Sequence, residues 1–191
     1  MSIASFLIYS FIMTFTPGPT NIVILSTVHN SGAKKAMEYT YGATIAFGIL
    51  LAASVFLNSA LAAVLPKILI FMQIVGTCYM LYLAYQIYGM QASKTSSNKT
   101  GGFLSGFLMQ FLNPKVILFT ITVIPGFILP YYTDLKVVSL SVLAITIIGF
   151  LAFSTWVLFG AVFKKFLQRH EKIVNVVLAL FLVYAAVMIW V

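Results

Sequence analysis

Charge is scarce in this chain. Of its 191 residues only 7% are Asp, Glu, Lys or Arg, against about 25% in a typical soluble domain. Hydrophobic residues make up 62%. So few charges cannot cover a soluble surface, so the exterior is expected to face lipid. Acidic residues are scarcest, three against eleven basic, and the formal net charge is +8. A nucleic-acid binder would cluster its basic residues on a folded soluble surface. Here they sit in short gaps between apolar runs, so no nucleic-acid partner is expected and the pattern reads as orientation by the positive-inside rule. The single cysteine, Cys78, excludes an internal disulfide and reads as a small buried hydrophobe. No basic n-region precedes the first apolar run, which continues past any cleavage site, so this segment is expected to be retained.

Other absences narrow the function. No expected helix core contains Asp, Glu or His. That removes the paired aspartates of an intramembrane aspartyl protease and the ligands a metal transporter offers at depth. No P-loop pattern is present, so no ATP site is visible. Neither an enzyme, nor a cofactor, nor a metal site is expected.

Long apolar runs are what the chain does have. A spanning helix needs roughly 20 apolar residues, and six stretches qualify: Ile3 to Val28, Tyr39 to Val64, Ile68 to Tyr88, Phe103 to Leu129, Val137 to Phe163 and Ile173 to Val191. A barrel would instead show alternating segments of about 10 residues. The fold class expected is an all-α membrane protein with six transmembrane helices. The odd gaps hold Lys34, Lys35, Lys94, Lys99, Lys164, Lys165, Arg169 and Lys172, while the even gaps hold only Lys67 and Lys136. The odd gaps are therefore expected in the cytoplasm and both termini outside. Tyr131, Tyr132 and Trp190 fall at outer helix ends, where interfacial aromatics collect.

The third gap is a polar cytoplasmic linker, residues 91–102. Its Asn98-Lys99-Thr100 is formally a glycosylation acceptor, which an inside placement argues against. The linker separates two three-helix sets, residues 1–90 and 103–191, within one membrane domain. Three helices per set force the second set to enter the membrane in the opposite direction. This is the arithmetic of an inverted repeat, common in secondary transporters.

Two helices should not be continuous. Phe15-Thr16-Pro17-Gly18-Pro19-Thr20-Asn21 breaks or strongly kinks the first, because Pro lacks an amide donor and Gly adds freedom. Pro19 suits the first turn of a restarted helix. In the fourth, Asn113 is a good N-cap and Pro114 a good first helical residue. At 1.5 Å per residue both breaks fall near the midplane, about 20 Å from Ile3 and about 15 Å from Phe103. Interrupted backbone at that depth is tolerated only inside protein or beside a water-filled cavity. Restarted helices offer amides and a positive dipole end to a carboxylate, and the carbonyls before each break can accept from an ammonium. A zwitterionic amino acid fits both. An ordinary proline kink would explain either break alone, and the pairing favours function. Lys115 is the one charge deep in an apolar run. It reads as functional, with snorkelling to an interface as the alternative.

The Phe-Thr-Pro-Gly-Pro segment at 15–19, Asn113-Pro114-Lys115 and six helices in 191 residues together resemble the LysE/RhtB family of amino-acid exporters, over essentially the whole chain. The run Gln110 to Leu118, Asn175-Val176-Val177-Leu178-Ala179-Leu180 and Val183-Tyr184-Ala185 look most like its cysteine/O-acetylserine exporter branch. Thr20 stands where many members carry Asn, which bears on the polar lining. The resemblance implies export of small neutral or basic amino acids from the bacterial cytoplasm, without ATP, through the inner membrane.

Weaker signals complete the reading. Gly102 with Gly106, and Gly42, Ala46 and Gly48, read as close helix packing. His29 reads as a solvated interfacial histidine, with titration near neutral pH as the alternative. Glu38 is the best carboxylate for proton coupling, although a solvated flank role beside Lys34 and Lys35 competes. Asp134 and Glu171 read as loop charges. Tyr79, Tyr82 and Tyr85 read as packing or interface residues.

The function expected is a secondary exporter of small amino acids working by alternating access in the lipid bilayer. Thr16, Gly18 and Asn21 would bind substrate at one break and Gln110, Asn113 and Lys115 at the other. Pro17, Pro19 and Pro114 would shape the breaks. A non-transporting membrane assembly or scaffold subunit is the alternative. The sequence is compatible with a homo-oligomer and does not require one.

Overall fold

The computed structural model describes residues 3–89, 102–188 and 190, excepting the side chains at 57–69, 71–73, 89, 164, 167, 168, 171 and 188. The linker expected at 91–102 lies outside the described residues except for Gly102. The described residues are all-helical, without a strand. Eight helices follow in order: α1 Ile3–Phe15, α2 Pro19–Ser31, α3 Ala33–Gly89, α4 Phe103–Leu112, α5 Pro114–Phe127, α6 Leu135–Val162, α7 Lys164–Arg169 and α8 Glu171–Met188.

The helix ends follow from local chemistry. Pro19 and Pro114 occupy the first turns of α2 and α5, where a missing amide costs nothing. Asn113 is extended, as a residue before proline must be, and its Oδ1 accepts from the Lys115 amide at 3.1 Å. Gly32 ends α2 with φ +88°, a conformation that side-chain-bearing residues rarely adopt. Asp134 does more than the loop role expected of it. It caps α6, accepting from the Lys136 amide at 2.8 Å.

Two helices are long and apolar enough to cross a membrane, Ala33–Phe56 and Leu135–Val162. The pairs α1 with α2 and α4 with α5 also pass as spans, bent by 45° and 67° at their breaks. Lys172–Val187 is a shorter apolar helix.

Two separate helices were expected at Tyr39 to Val64 and Ile68 to Tyr88, yet α3 is helical over all 57 residues. It is not straight. Straight geometry would set Tyr39 and Gly76 about 55 Å apart. Both pack on α4, a helix of only ten residues: Gly106 abuts the Tyr39 carbonyl, and a Cβ on Gly76 would lie 2.5 Å from the Leu112 carbonyl. Gly42 at Phe103 and Tyr39 at Gly106 bring the first limb, 33–56, across α4. The second limb, 70–89, runs antiparallel to it, with Gly76 at Leu112 and the Tyr79 side chain hydrogen-bonded to Ser105. The element therefore doubles back, and its first limb, Ala33–Phe56, is the part that passes as a span. The first limb and α4 touch backbone to backbone, because Gly42 and Gly106 present no side chain where they meet the Phe103 and Tyr39 carbonyls. This is the expected small-residue packing, although Gly102 itself meets only the Lys35 side chain.

The centre of the molecule is α2. Every residue from Pro19 to His29 is buried, enclosed by α3, α6 and α8 in a core that includes Val28, Tyr39, Met80, Phe153 and Leu182. A second core joins α1, α5, α6 and the first limb of α3 through Phe6, Phe47, Phe119 and Ile145. The outer faces carry bare apolar side chains such as Ile8, Leu143, Leu158 and Tyr85, the surface a lipid-facing protein needs. Two expectations are corrected. Cys78 is exposed among them rather than buried, because lipid is as apolar as the core. His29 is buried rather than solvated, because α2 is enclosed to its end. Tyr82, Tyr85, Tyr131, Tyr132 and Trp190 are exposed, and Trp190 also donates to Thr77 Oγ1 at 2.9 Å.

Candidate functional site

A helix that stops inside a membrane leaves its last carbonyls without intrahelical partners. At the end of α1 three side chains from three other elements supply donors. Asn21 Nδ2, from α2, reaches Thr14 O at 3.3 Å and Thr16 O at 2.9 Å. Trp156 Nε1, from α6, donates to Phe15 O at 3.2 Å. Lys115 Nζ, from α5, donates to Thr16 O at 3.0 Å, Thr16 Oγ1 at 2.8 Å and Pro17 O at 3.4 Å. A cation is well placed at the negative end of α1. It also ties the first break directly to the second.

A neutral polar knot ties them again. Thr20 Oγ1, in the first turn of α2, accepts from Gln110 Nε2 at 3.1 Å and Asn113 Nδ2 at 2.9 Å. All three side chains are buried. Asn113 thus serves twice, its Oδ1 capping α5 and its amide holding α2.

Between the breaks lies a partly open cavity. Thr14, Gly18, Thr20, Asn21, Asn113 and Lys115 form its polar side. Met13, Phe47, Val116, Phe119 and Phe153 form its apolar side, where Phe47 stacks on Phe119 at 5.9 Å and meets Phe153 edge-on at 6.3 Å. Gly18 provides no side-chain cap at the N-terminus of α2, the end of a helix that favours an anion. The arrangement brings a cation, a helix N-terminus and an apolar wall together, with the carbonyls at the end of α1 held by Asn21, Trp156 and Lys115.

The residues expected at the site divide as follows. Gly18, Asn21, Asn113 and Lys115 line the cavity. Thr16 lies behind Lys115 as its acceptor. Gln110 stands behind Thr20 as its donor. Pro17, Pro19 and Pro114 sit at the two breaks. Glu38 is elsewhere. It is not in the lining, and its Oε2 pairs with Lys35 Nζ at 2.6 Å, with both side chains about a third or more exposed. Thr20 and Trp156 were missed as site residues. Thr20 carried a signal, its position in the first turn after Pro19, whereas nothing local marks Trp156. Among the described residues no group of three His, Cys, Asp or Glu could hold a metal.

Residues 11–191 match the family described as LysE type translocator. The chain is 32% identical over 192 residues to the cysteine/O-acetylserine efflux protein of Salmonella choleraesuis (strain SC-B67), covering 100% of this chain and 98% of that one. It is 32% identical over 196 residues to the cysteine/O-acetylserine efflux protein of Escherichia coli (strain K12), covering 98% and 97%. No solved structure gives a significant match.

Proposed function

Because the chain belongs to the LysE type translocator family, we propose that it is a secondary exporter of small amino acids or their derivatives in the bacterial inner membrane. Cysteine and O-acetylserine are the first substrates to test, since the relatives that match over nearly full length carry those names. The observation that carries the reading is the meeting of two helix breaks around one cavity, joined by Lys115 and Thr16.

In this reading the two bent pairs, the two limbs of α3, α6 and α8 make six crossings, arranged as two inverted sets of three. Both termini lie outside, consistent with the basic residues of the odd gaps. The substrate carboxylate binds Lys115 and the first turn of α2. Its ammonium binds the terminal carbonyls of α1 and the free Oδ1 of Asn21, which has no partner among the described residues. Its side chain lies on Phe119 and Phe153. Gln110, Thr20 and Asn113 hold the two breaks in register. Alternating access then rocks one set of helices against the other about this fixed point.

The test is a thermal-shift panel of the twenty amino acids and O-acetylserine on the purified full chain. Stabilisation by a small amino acid supports the reading, and by mass action about 2.7 kcal/mol is expected at a hundred times Kd. A folded protein that responds to none of them, yet copurifies with a membrane partner, would favour the scaffold alternative.

A further inference from the structure

Lys115 sits where a substrate's own ammonium would be expected. Its Nζ is ringed by three neutral oxygens, Thr16 O, Thr16 Oγ1 and Pro17 O, at 2.8 to 3.4 Å. A primary ammonium has three donors, so this cradle suits one such group, and a second cation would be repelled. No carboxylate is among these partners. The stem of Lys115 runs closely past Gly18. A Cβ there would lie 3.1 Å from Lys115 Cδ and 3.3 Å from Nζ. Gly18 has an extended backbone, φ −163°, so its missing side chain serves that passage and not the backbone.

We propose that Lys115 is a tethered stand-in for the substrate ammonium, competing with it for the oxygens of Thr16 and Pro17 that follow α1. This rests on reading the cavity as the amino-acid site. In the empty site the lysine supplies a donor to the Thr16 and Pro17 carbonyls at the break. An arriving amino acid brings one ammonium and one carboxylate. The ammonium takes the carbonyls, and the displaced Lys115 swings on its flexible stem to the carboxylate. Hydrogen bonds and charges are exchanged rather than lost, so both the empty and the loaded site are satisfied. The bond between α1 and α5 is released only when a ligand of both charges arrives. A ligand with an ammonium alone would strand Lys115 without an acceptor. One with a carboxylate alone would pull Lys115 away and leave Thr16 Oγ1 and the Pro17 carbonyl without their donor. Selectivity for zwitterions thus follows from the exchange.

The experiment compares three ligands of the purified full chain: the amino acid that gives the largest shift in the panel, its decarboxylated amine and its N-acetyl derivative. For cysteine these are cysteamine and N-acetylcysteine, under reducing conditions. In the wild type both partial ligands are expected to bind at least about tenfold more weakly than the amino acid, the scale of one charge-assisted hydrogen bond. In Lys115→Met the amine is expected to bind about tenfold tighter than in the wild type, while the amino acid weakens. Gly18→Ala, which crowds the lysine stem, is expected to shift the same ratio in the same direction. A wild type that binds amine and amino acid equally overturns the competition, whether or not the Lys115 variant folds. So does a folded Lys115→Met that binds the amino acid but gains no affinity for the amine. A wild type that responds to no amino acid overturns instead the substrate-site reading beneath it.

Discussion

Lys115 Nζ and Thr16 Oγ1, 99 residues apart in the chain, lie 2.8 Å from each other at the meeting point of two interrupted helices. The contact gives α1 the cation its carbonyl end favours and fixes α5 against it. Around it Thr20, Gln110 and Asn113 repeat the connection with neutral groups.

The neutral knot should be measurable by itself. Thr20→Val keeps the shape but removes the oxygen that accepts from Gln110 and Asn113, leaving two buried amides unpaired. It should lower unfolding stability by about 1–3 kcal/mol, read by denaturant unfolding in detergent. Thr20→Ser should stay close to the wild type. Equal stability of the Val variant would show that the knot contributes nothing.

Packing between the first limb of α3 and α4 depends on two missing side chains. Gly106→Ala drives a Cβ into the Tyr39 carbonyl, a backbone atom that cannot move aside alone. A loss of about 1–3 kcal/mol is expected. Gly126→Ala, on the exposed side of α5 with nothing within 4 Å, should be neutral or stabilising by up to about 1 kcal/mol. The same unfolding measurement checks both, and similar behaviour of the two variants would contradict this packing.

Trp156 donates to the Phe15 carbonyl, so Trp156→Phe should cost about 1 kcal/mol while leaving the cavity wall in place. The chain has only two tryptophans. In a Trp190→Phe background the remaining indole should report on the end of α1. Its emission should change on addition of the amino acid selected by the panel, and should not change on addition of an amino acid that gives no shift there.

How much of this could be read in the sequence depends on the range of the interaction. The breaks at Pro17–Pro19 and Asn113–Pro114 were legible, because proline, glycine and an asparagine cap act on their own backbone. The partners of Lys115 were not, because they belong to a segment 99 residues away. Thr20 was legible only as a position of the polar lining, because its hydroxyl joins the two breaks only when Gln110 and Asn113 arrive. Cys78 escapes because, in a membrane, an apolar run does not distinguish lipid-facing from core-facing positions. Burial of α2 to its last turn comes from the helices that surround it. The doubling back of α3 was anticipated as a gap, although its backbone remains helical.

Orientation gives a further test. In a Cys78→Ser background, tolerated because Cys78 lies on an outer face, Lys34→Cys should be labelled by an impermeant maleimide only from the cytoplasmic side. Thr133→Cys, exposed between α5 and α6, should be labelled only from outside. The reverse pattern would invert the topology and with it the direction of export.

The most direct measurement of the central claim is counterflow of labelled cysteine or O-acetylserine in proteoliposomes holding the purified chain. Wild-type protein should exchange label with unlabelled substrate, and the Asn113→Ala, Lys115→Leu double variant, reconstituted to the same level and shown to be folded, should lose at least about tenfold of that rate. Exchange at the wild-type rate by the double variant would remove the joined breaks from the transport path.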